Sequence, residues 1–174
     1  MENKQELLMM LKNGKPEIIQ LAIQKLKDEG DTTIVPELLE ILLHAHEPHL
    51  ITPITILLSD IKDISFKPLL MEKLIEADKQ LERANLLRVC WESSLDFSDY
   101  LEIFVDFLME ENFIIALEAS TVIENLHGKI PKEVIQQSIH RLQARGEEQS
   151  FPVDDTLRYL ESLLDDQEEE EHDW

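Results

Sequence analysis

The sequence predicts an all-α fold, a right-handed α-α superhelix (solenoid) of about five helical hairpins that repeat with a period of about 32 residues. Three observations predict this class. Apolar residues recur at intervals of 32, the apolar spacing inside each interval is helical, and the 174 residues include only 4 glycines and 7 prolines. Because an all-β fold needs many turns rich in glycine and proline, we expect no sheet.

Three apolar columns carry the repeat. Two columns contain five residues and the third contains four, and each member lies 32 residues after the one before it. The columns are Leu7, Leu39, Met71, Ile103 and Ile135; Leu11, Leu43, Ile75, Phe107 and Ile139; and Leu26, Leu58, Cys90 and Val122. A fixed period of this length predicts hairpins that bury their apolar sides against neighbouring hairpins.

Each period contains two amphipathic helices. In VPELLEILLHA the leucines fall at i, i+1, i+4 and i+5, which places them on one side of a helix. Four prolines lie near predicted helix starts and all four glycines lie at predicted helix ends. Polar stretches that begin at Asp31, Asp63 and Asp96 predict helix N-caps. The predicted helices span residues 2–12, 16–29, 35–46, 48–62, 67–77, 79–93, 99–110, 112–127, 131–145 and 154–165.

The segment PEIIQLAIQKLKDEGDTTIVPELLEILL resembles a HEAT repeat. It has an alanine-bearing helix, a short Gly-Asp turn and a proline-led helix rich in leucine, and KQLERANLLRVCWESSLDFSDYLEIFVDFL and ENFIIALEASTVIENLHGKIPKEVIQQSI follow the same plan. The resemblance covers residues 2–146 and implies a binding scaffold with a concave surface. The basic residue often found in the second HEAT helix has only Arg83 as a counterpart, so we do not expect the polar ladder of some HEAT arrays.

Charge selects the kind of partner. The chain contains 16 basic and 37 acidic residues, and its net charge is −21. Such a charge repels nucleic-acid phosphates and anionic lipids, so we predict no nucleic acid, no membrane and a basic protein partner. Seven acids lie among the last ten residues. They predict a disordered acidic tail over residues 165–174, after a repeat domain over residues 1–164.

Three further features predict the cellular compartment and the oligomeric state of the protein. Cys90 is the only cysteine, which fits a reducing environment. The chain has no apolar run long enough to span a bilayer, so we expect a cytoplasmic protein. The last predicted helix, DDTLRYLESLLDD, has leucines on one side and acids on the other, as a terminal repeat does. We therefore predict a monomer or a weak dimer.

Candidate contact residues follow from the resemblance. In HEAT proteins the second helices line the concave side, so their exposed positions form the binding surface. The residues predicted there are His49, Arg83, Arg88, Trp91, Glu92, Glu118 and Asn125. Trp91 is the candidate aromatic anchor, of the kind enriched at binding hot spots, although an aromatic ring at this spacing also fits the core.

The histidine-rich stretch LLHAHEPH raises the question of a metal site. His44 and His46 lie about 200° apart around a helix, so they face opposite sides. We predict no metal and no cofactor, and we find no nucleophile elbow or glycine-rich phosphate loop.

The predicted function is a non-enzymatic protein-binding scaffold or adaptor with an acidic concave surface. The alternatives are an inhibitor or antidote protein that masks a basic active site, a HEAT-like enzyme of the lyase type, and a metal-binding protein.

Overall fold

The computed structural model describes residues 4–29, 32–145 and 151–172. In these ranges the chain forms ten α-helices and no strand, so the predicted all-α class is confirmed. Short 3-10 turns at Thr32–Ile34 and Ser98–Tyr100 precede α3 and α7. The helices are α1 Lys4–Lys12, α2 Pro16–Glu29, α3 Val35–His44, α4 Pro48–Ser59, α5 Phe66–Glu76, α6 Gln80–Glu92, α7 Leu101–Leu108, α8 Phe113–Glu124, α9 Lys132–Gln143 and α10 Val153–His172.

The chain divides into two compact units, which we call unit 1 (Met1–Leu95) and unit 2 (Asp96–Trp174). Unit 1 contains the helix pairs α1–α2, α3–α4 and α5–α6. Its even-numbered helices α2, α4 and α6 pack in succession, and α3 packs on α5. Unit 2 contains the pairs α7–α8 and α9–α10, with α7 packed on α9 and α8 on α10. Within each unit, equivalent helices of successive pairs therefore lie against each other.

The predicted columns differ in how well they describe the core. Every residue of the column from Leu26 to Val122 is buried, as expected for a row that faces neighbouring helices. The column that begins at Leu11 is less regular, because Ile75 is 57% exposed. In α5 the buried position is Leu74, one residue earlier. One residue turns a helix by about 100°, so the contact row of α5 has rotated away from Ile75.

Ion pairs join the odd-numbered helices of unit 1. Lys4 Nζ on α1 lies 3.0 Å from Glu37 Oε1 on α3. Lys73 on α5 pairs with Glu40 on α3. The partners are 33 residues apart in both pairs. Because these side chains are partly exposed to water, the two ion pairs contribute little to stability, and both join the first helices of successive pairs.

The predicted N-caps behave differently from expectation. Asp31 lies outside the described residues. Asp63 Oδ1 accepts a hydrogen bond from the Ser65 N–H at 2.9 Å, which closes a turn before α5. Ser65 itself stands at the N-cap of α5 without a side-chain cap, because its φ of −63° and ψ of −16° are helical, whereas a capping residue is typically extended. Asn112, which was not predicted as a cap, accepts from two N–H groups at the start of α8.

Asp96 connects the stretch before α7 with the turn after α8. Its Oδ1 accepts hydrogen bonds from Ser98 Oγ at 2.6 Å, from the Gly128 N–H at 3.0 Å and from the His127 N–H at 3.2 Å. Partial burial on its own raises the pKa of Asp96, but these hydrogen bonds outweigh it and hold the pKa below the ordinary value. The carboxylate therefore links two connections of unit 2, and we call its hydrogen bonds to Ser98, His127 and Gly128 the clasp.

Helix α10 extends past the predicted end of the repeat domain at residue 164. It runs to His172, so residues 165–172 of the predicted tail are described as helix, and residues 173–174 lie outside the described residues. Glutamate is a good helix former, which favours this continuation. Gln167 Nε2 also donates to the Ile130 carbonyl oxygen at 3.1 Å and ties α10 to the segment just before α9. The division into domains drawn from the sequence stays a prediction.

Gly128→Ala should destabilise unit 2. An added Cβ would lie 2.0 Å from Asp96 Oδ2 and 2.7 Å from Asp96 Cγ, so the clasp must open. Overpacking of this kind costs about 1–3 kcal/mol, measurable as a loss of unfolding free energy in urea titrations. The same substitution in an Asp96→Ala background is the control. If the clash is the cause, Gly128→Ala costs much less there, and equal costs in both backgrounds would contradict the clasp.

Asp96→Asn should reduce the acid sensitivity of the fold. Because the folded-state pKa of Asp96 is lowered, its stabilisation is complete above the ordinary pKa of about 3.9 and is lost as the pH falls through the lower folded-state value. We expect the variant to be less stable than the wild type at about pH 6 and closer to it at about pH 2, measured by denaturant unfolding. Asp78→Asn is the matched control, because Asp78 is exposed in the turn before α6. Identical pH profiles for the wild type and Asp96→Asn would contradict the prediction.

Candidate protein-interaction surfaces

The second-helix face is the exposed side of α2, α4 and α6 in unit 1. Helix α4 packs against both α2 and α6. The exposed side chains of these helices are charged, uncharged polar and apolar, with one exposed large apolar side chain on each helix. The exposed residues include Gln20, Leu21, Gln24, Thr52, Ile56 and Leu81. Such a mixture of apolar and hydrogen-bonding groups is suited to contact with another protein.

Two predicted contact residues of this face, His49 and Arg83, contact main-chain oxygens near helix ends. His49 Nε2 lies 3.0 Å from the Gly14 carbonyl oxygen and joins the start of α4 to the turn between α1 and α2. Gly14 has a φ of +80°, a conformation that glycine adopts without strain. Arg83 Nε donates to the Ala77 carbonyl oxygen at 2.7 Å. Both side chains therefore have structural roles at the N-terminal ends of α4 and α6.

The other predicted residues of unit 1 lie towards the C-terminal end of α6. Arg88 Nε and Glu92 Oε1 form an ion pair at 2.6 Å, one helical turn apart. Trp91 is half-buried. At the same end of the neighbouring helices, Lys27 Nζ lies 3.5 Å from Asp60 Oδ2 and links α2 to the end of α4. This end of the face is charged, and its charges largely neutralise one another.

The remaining two predicted residues belong to unit 2. Glu118 is half-buried on α8. Asn125 stands at the C-cap of the same helix, where its Nδ2 donates to the Thr121 carbonyl oxygen at 2.7 Å. The seven predicted residues thus divide between the two units, five on α4 and α6 and two at α8. That they form one site stays a prediction.

Charge is distributed unevenly between the units. The segments α2, α4 and α6 contain five acids and four bases, so the second-helix face of unit 1 has little net charge. Unit 1 as a whole has 16 acids and 11 bases, a net charge of −5. Unit 2 has 21 acids and 5 bases, a net charge of −16, and the two values add to the −21 of the chain. The acidic character predicted from composition therefore resides mainly in unit 2.

An exposed apolar cluster in unit 2 was missed by the sequence reasoning. The aromatic patch consists of Phe113 and Ile114, which begin α8, and Phe151, which precedes α10. The ring centroids of the two phenylalanines are 6.2 Å apart, with planes inclined at 44°. Two apolar residues directly after the capping Asn112 were a visible signal for part of it. The proximity of Phe113 to Phe151, 38 residues later, depends on the packing of α8 against α10.

Two histidines of LLHAHEPH, His44 and His49, contact different main-chain oxygens. His44 Nδ1 contacts the main-chain oxygen of Glu40 at 2.8 Å, while the Glu40 carboxylate pairs with Lys73. His49 contacts the turn before α2, as described above. Among the described residues, no group of three or more His, Cys, Asp or Glu side chains is arranged to hold a metal ion.

No helix in the described ranges combines the length and the apolar character needed to cross a bilayer.

Comparison of the chain with family models, with curated proteins and with solved structures found no match. The inference of function therefore rests on the surfaces, charges and contacts of the chain itself.

The Cys90 thiol should be unreactive in the folded protein. It is buried in α6, and burial raises the pKa of the thiol, so the reactive thiolate is scarce at neutral pH. We expect alkylation by iodoacetamide to be at least about 100-fold slower in the native protein than in urea. The denatured chain supplies the control rate. Comparable rates in the two states would show that α6 does not protect Cys90.

Proposed function

We propose that the chain is a non-enzymatic protein-binding scaffold whose partner is basic. The observation that carries the proposal is the concentration of acids in unit 2, where acidic residues outnumber basic ones by 16. A strongly acidic surface accelerates encounter with basic proteins and disfavours acidic ones. The mixed polar and apolar side chains of the second-helix face support a binding role for unit 1 as well.

Several unit 2 acids are well placed for long-range attraction. Glu102, Glu111 and Glu133 are exposed at α7, before α8 and on α9. Two of the basic residues of this unit, Arg141 and Arg158, already pair with Asp106 and Asp155. These pairs leave less positive charge to offset the acids. A basic partner would therefore meet a predominantly negative surface at unit 2.

We extend the proposal to the architecture: the helix pairs are HEAT-like repeats that stack into a solenoid. Three kinds of contact support it. Equivalent helices of successive pairs pack on each other within each unit. Ion pairs at a separation of 33 residues join α1 to α3 and α3 to α5. Asp96 accepts a hydrogen bond from Gly128, 32 residues later, in unit 2. Repeated contacts at one period are characteristic of a stack of similar units.

Neutralisation of exposed acids tests the function. The full chain is used to capture partners at low and high salt, and one triple variant per unit replaces three exposed glutamates by glutamine. The unit 2 substitutions are Glu102→Gln, Glu111→Gln and Glu133→Gln; the matched unit 1 substitutions are Glu6→Gln, Glu47→Gln and Glu76→Gln. We expect basic partners that are released at high salt, because screening shortens the reach of surface charge to about 3 Å at 1 M.

The triple variant of unit 2 should retain the partner less well than the triple variant of unit 1. A loss of about tenfold in affinity corresponds to about 1.4 kcal/mol, a reasonable effect for three charges at the rim of an interface. Partners that are acidic, or that bind equally at both salt concentrations, would refute the proposal. Equal losses in the two triple variants would remove unit 2 as its basis.

A further inference from the structure

The aromatic patch of unit 2 is the largest local departure from a polar surface among its described residues. Phe113 is 55% exposed, Ile114 60% and Phe151 55%. Exposed apolar side chains that occur singly need no explanation, whereas three that are adjacent in sequence or in ring contact mark an interaction site. The tilted arrangement of the two rings leaves faces and edges open to a third apolar group.

The residues of the patch lie at the starts of α8 and α10, and hydrogen bonds fix both helices near these ends. Asn112 Oδ1 accepts from the N–H groups of Ile114 and Ile115 at 3.0 and 3.1 Å, which secures the first turn of α8. On α10, the fully buried Thr156 hydroxyl hydrogen-bonds the Ser120 hydroxyl of α8 at 2.8 Å. Because α8 and α10 are tied together one to two turns from the rings, a partner would find the patch already formed.

Acidic residues surround the patch in sequence. Residues 110–118 and 151–158 contain five acids and a single base, Arg158, which lies 3.2 Å from Asp155. The acids are Glu110, Glu111, Glu118, Asp154 and Asp155. A second copy of the chain would bring like charges together around the rings, which is unfavourable. A partner that surrounds its apolar side chains with lysine or arginine would meet opposite charges instead.

We propose that the aromatic patch binds an amphipathic segment of a basic partner protein, which packs apolar side chains on Phe113, Ile114 and Phe151 and places lysine or arginine opposite the surrounding acids. The proposal rests on the function proposed above, since it identifies where and through which chemistry a basic partner docks. Apolar anchors supply most of the affinity at such sites, and the charges supply orientation and rate of encounter.

A designed peptide tests the proposal directly. The probe is a fluorescent amphipathic helix with leucines along one face and lysines elsewhere, titrated with the full chain and followed by anisotropy. We expect Phe113→Ala and Phe151→Ala each to weaken binding about tenfold or more. Ile64→Ala is the matched control, because Ile64 is 75% exposed but belongs to unit 1. It should change the affinity by less than about twofold.

Circular dichroism and thermal unfolding of each variant establish that the fold is retained. A peptide in which glutamates replace the lysines should bind at least about tenfold more weakly. If Phe113→Ala and Phe151→Ala bind the lysine peptide as the wild type does, while binding stays sensitive to salt, the patch is not the site and the function proposed for the chain is untouched.

Two other results would also overturn the docking site. Equal affinity for the lysine and glutamate peptides would show that the acids around the patch do not select a basic partner. A wild-type dimer in sedimentation experiments that becomes monomeric on Phe113→Ala would show that a second copy covers the patch. Failure of every basic probe and partner to bind the wild type, by contrast, would refute the proposed function itself.

Discussion

Within each unit, successive helix pairs bury apolar side chains against one another, and the rest of that unit depends on this packing. In unit 1 it places α4 between α2 and α6, where Ile54 and Leu58 are fully buried. In unit 2 it packs α8 on α10, with Leu160 and the Ser120–Thr156 hydrogen bond in the contact. The side of a helix that does not take part in this packing faces outward, so the surface of each unit depends on the side chains found there.

The outward sides differ in character between the two units. In unit 1 the bases of α2 and α6 nearly match the acids, and several are engaged in ion pairs, so Leu21, Ile56 and Leu81 stand in a surface of little net charge. In unit 2 the acids are in large excess and accompany the aromatic patch. Attraction over distance and apolar anchoring therefore coincide in unit 2, which makes it the stronger candidate for the docking of a basic protein.

Two of the predicted contact residues, and one residue from a predicted helix cap, have structural roles in the fold. His49 and Arg83 hold main-chain carbonyl oxygens of nearby turns, and Asp96 holds the N–H groups of His127 and Gly128. In each case a polar side chain satisfies a main-chain group in a connection, where no helical hydrogen bond is available. Sequence patterns show that such residues are polar and near helix ends, but they do not show which main-chain group each one will meet.

The sequence by itself determined the all-α class, the order of the ten helices and the fully buried column from Leu26 to Val122, because helical periodicity and apolar repeats are local properties. It did not determine the rotation of α5 that exposes Ile75, since that depends on the fit of neighbouring helices. Nor did it reveal the pairing of Phe113 with Phe151, which are distant in the chain and meet only because α8 packs on α10. Contacts between distant segments are decided by packing, so the candidate docking site could be recognised only in the tertiary structure.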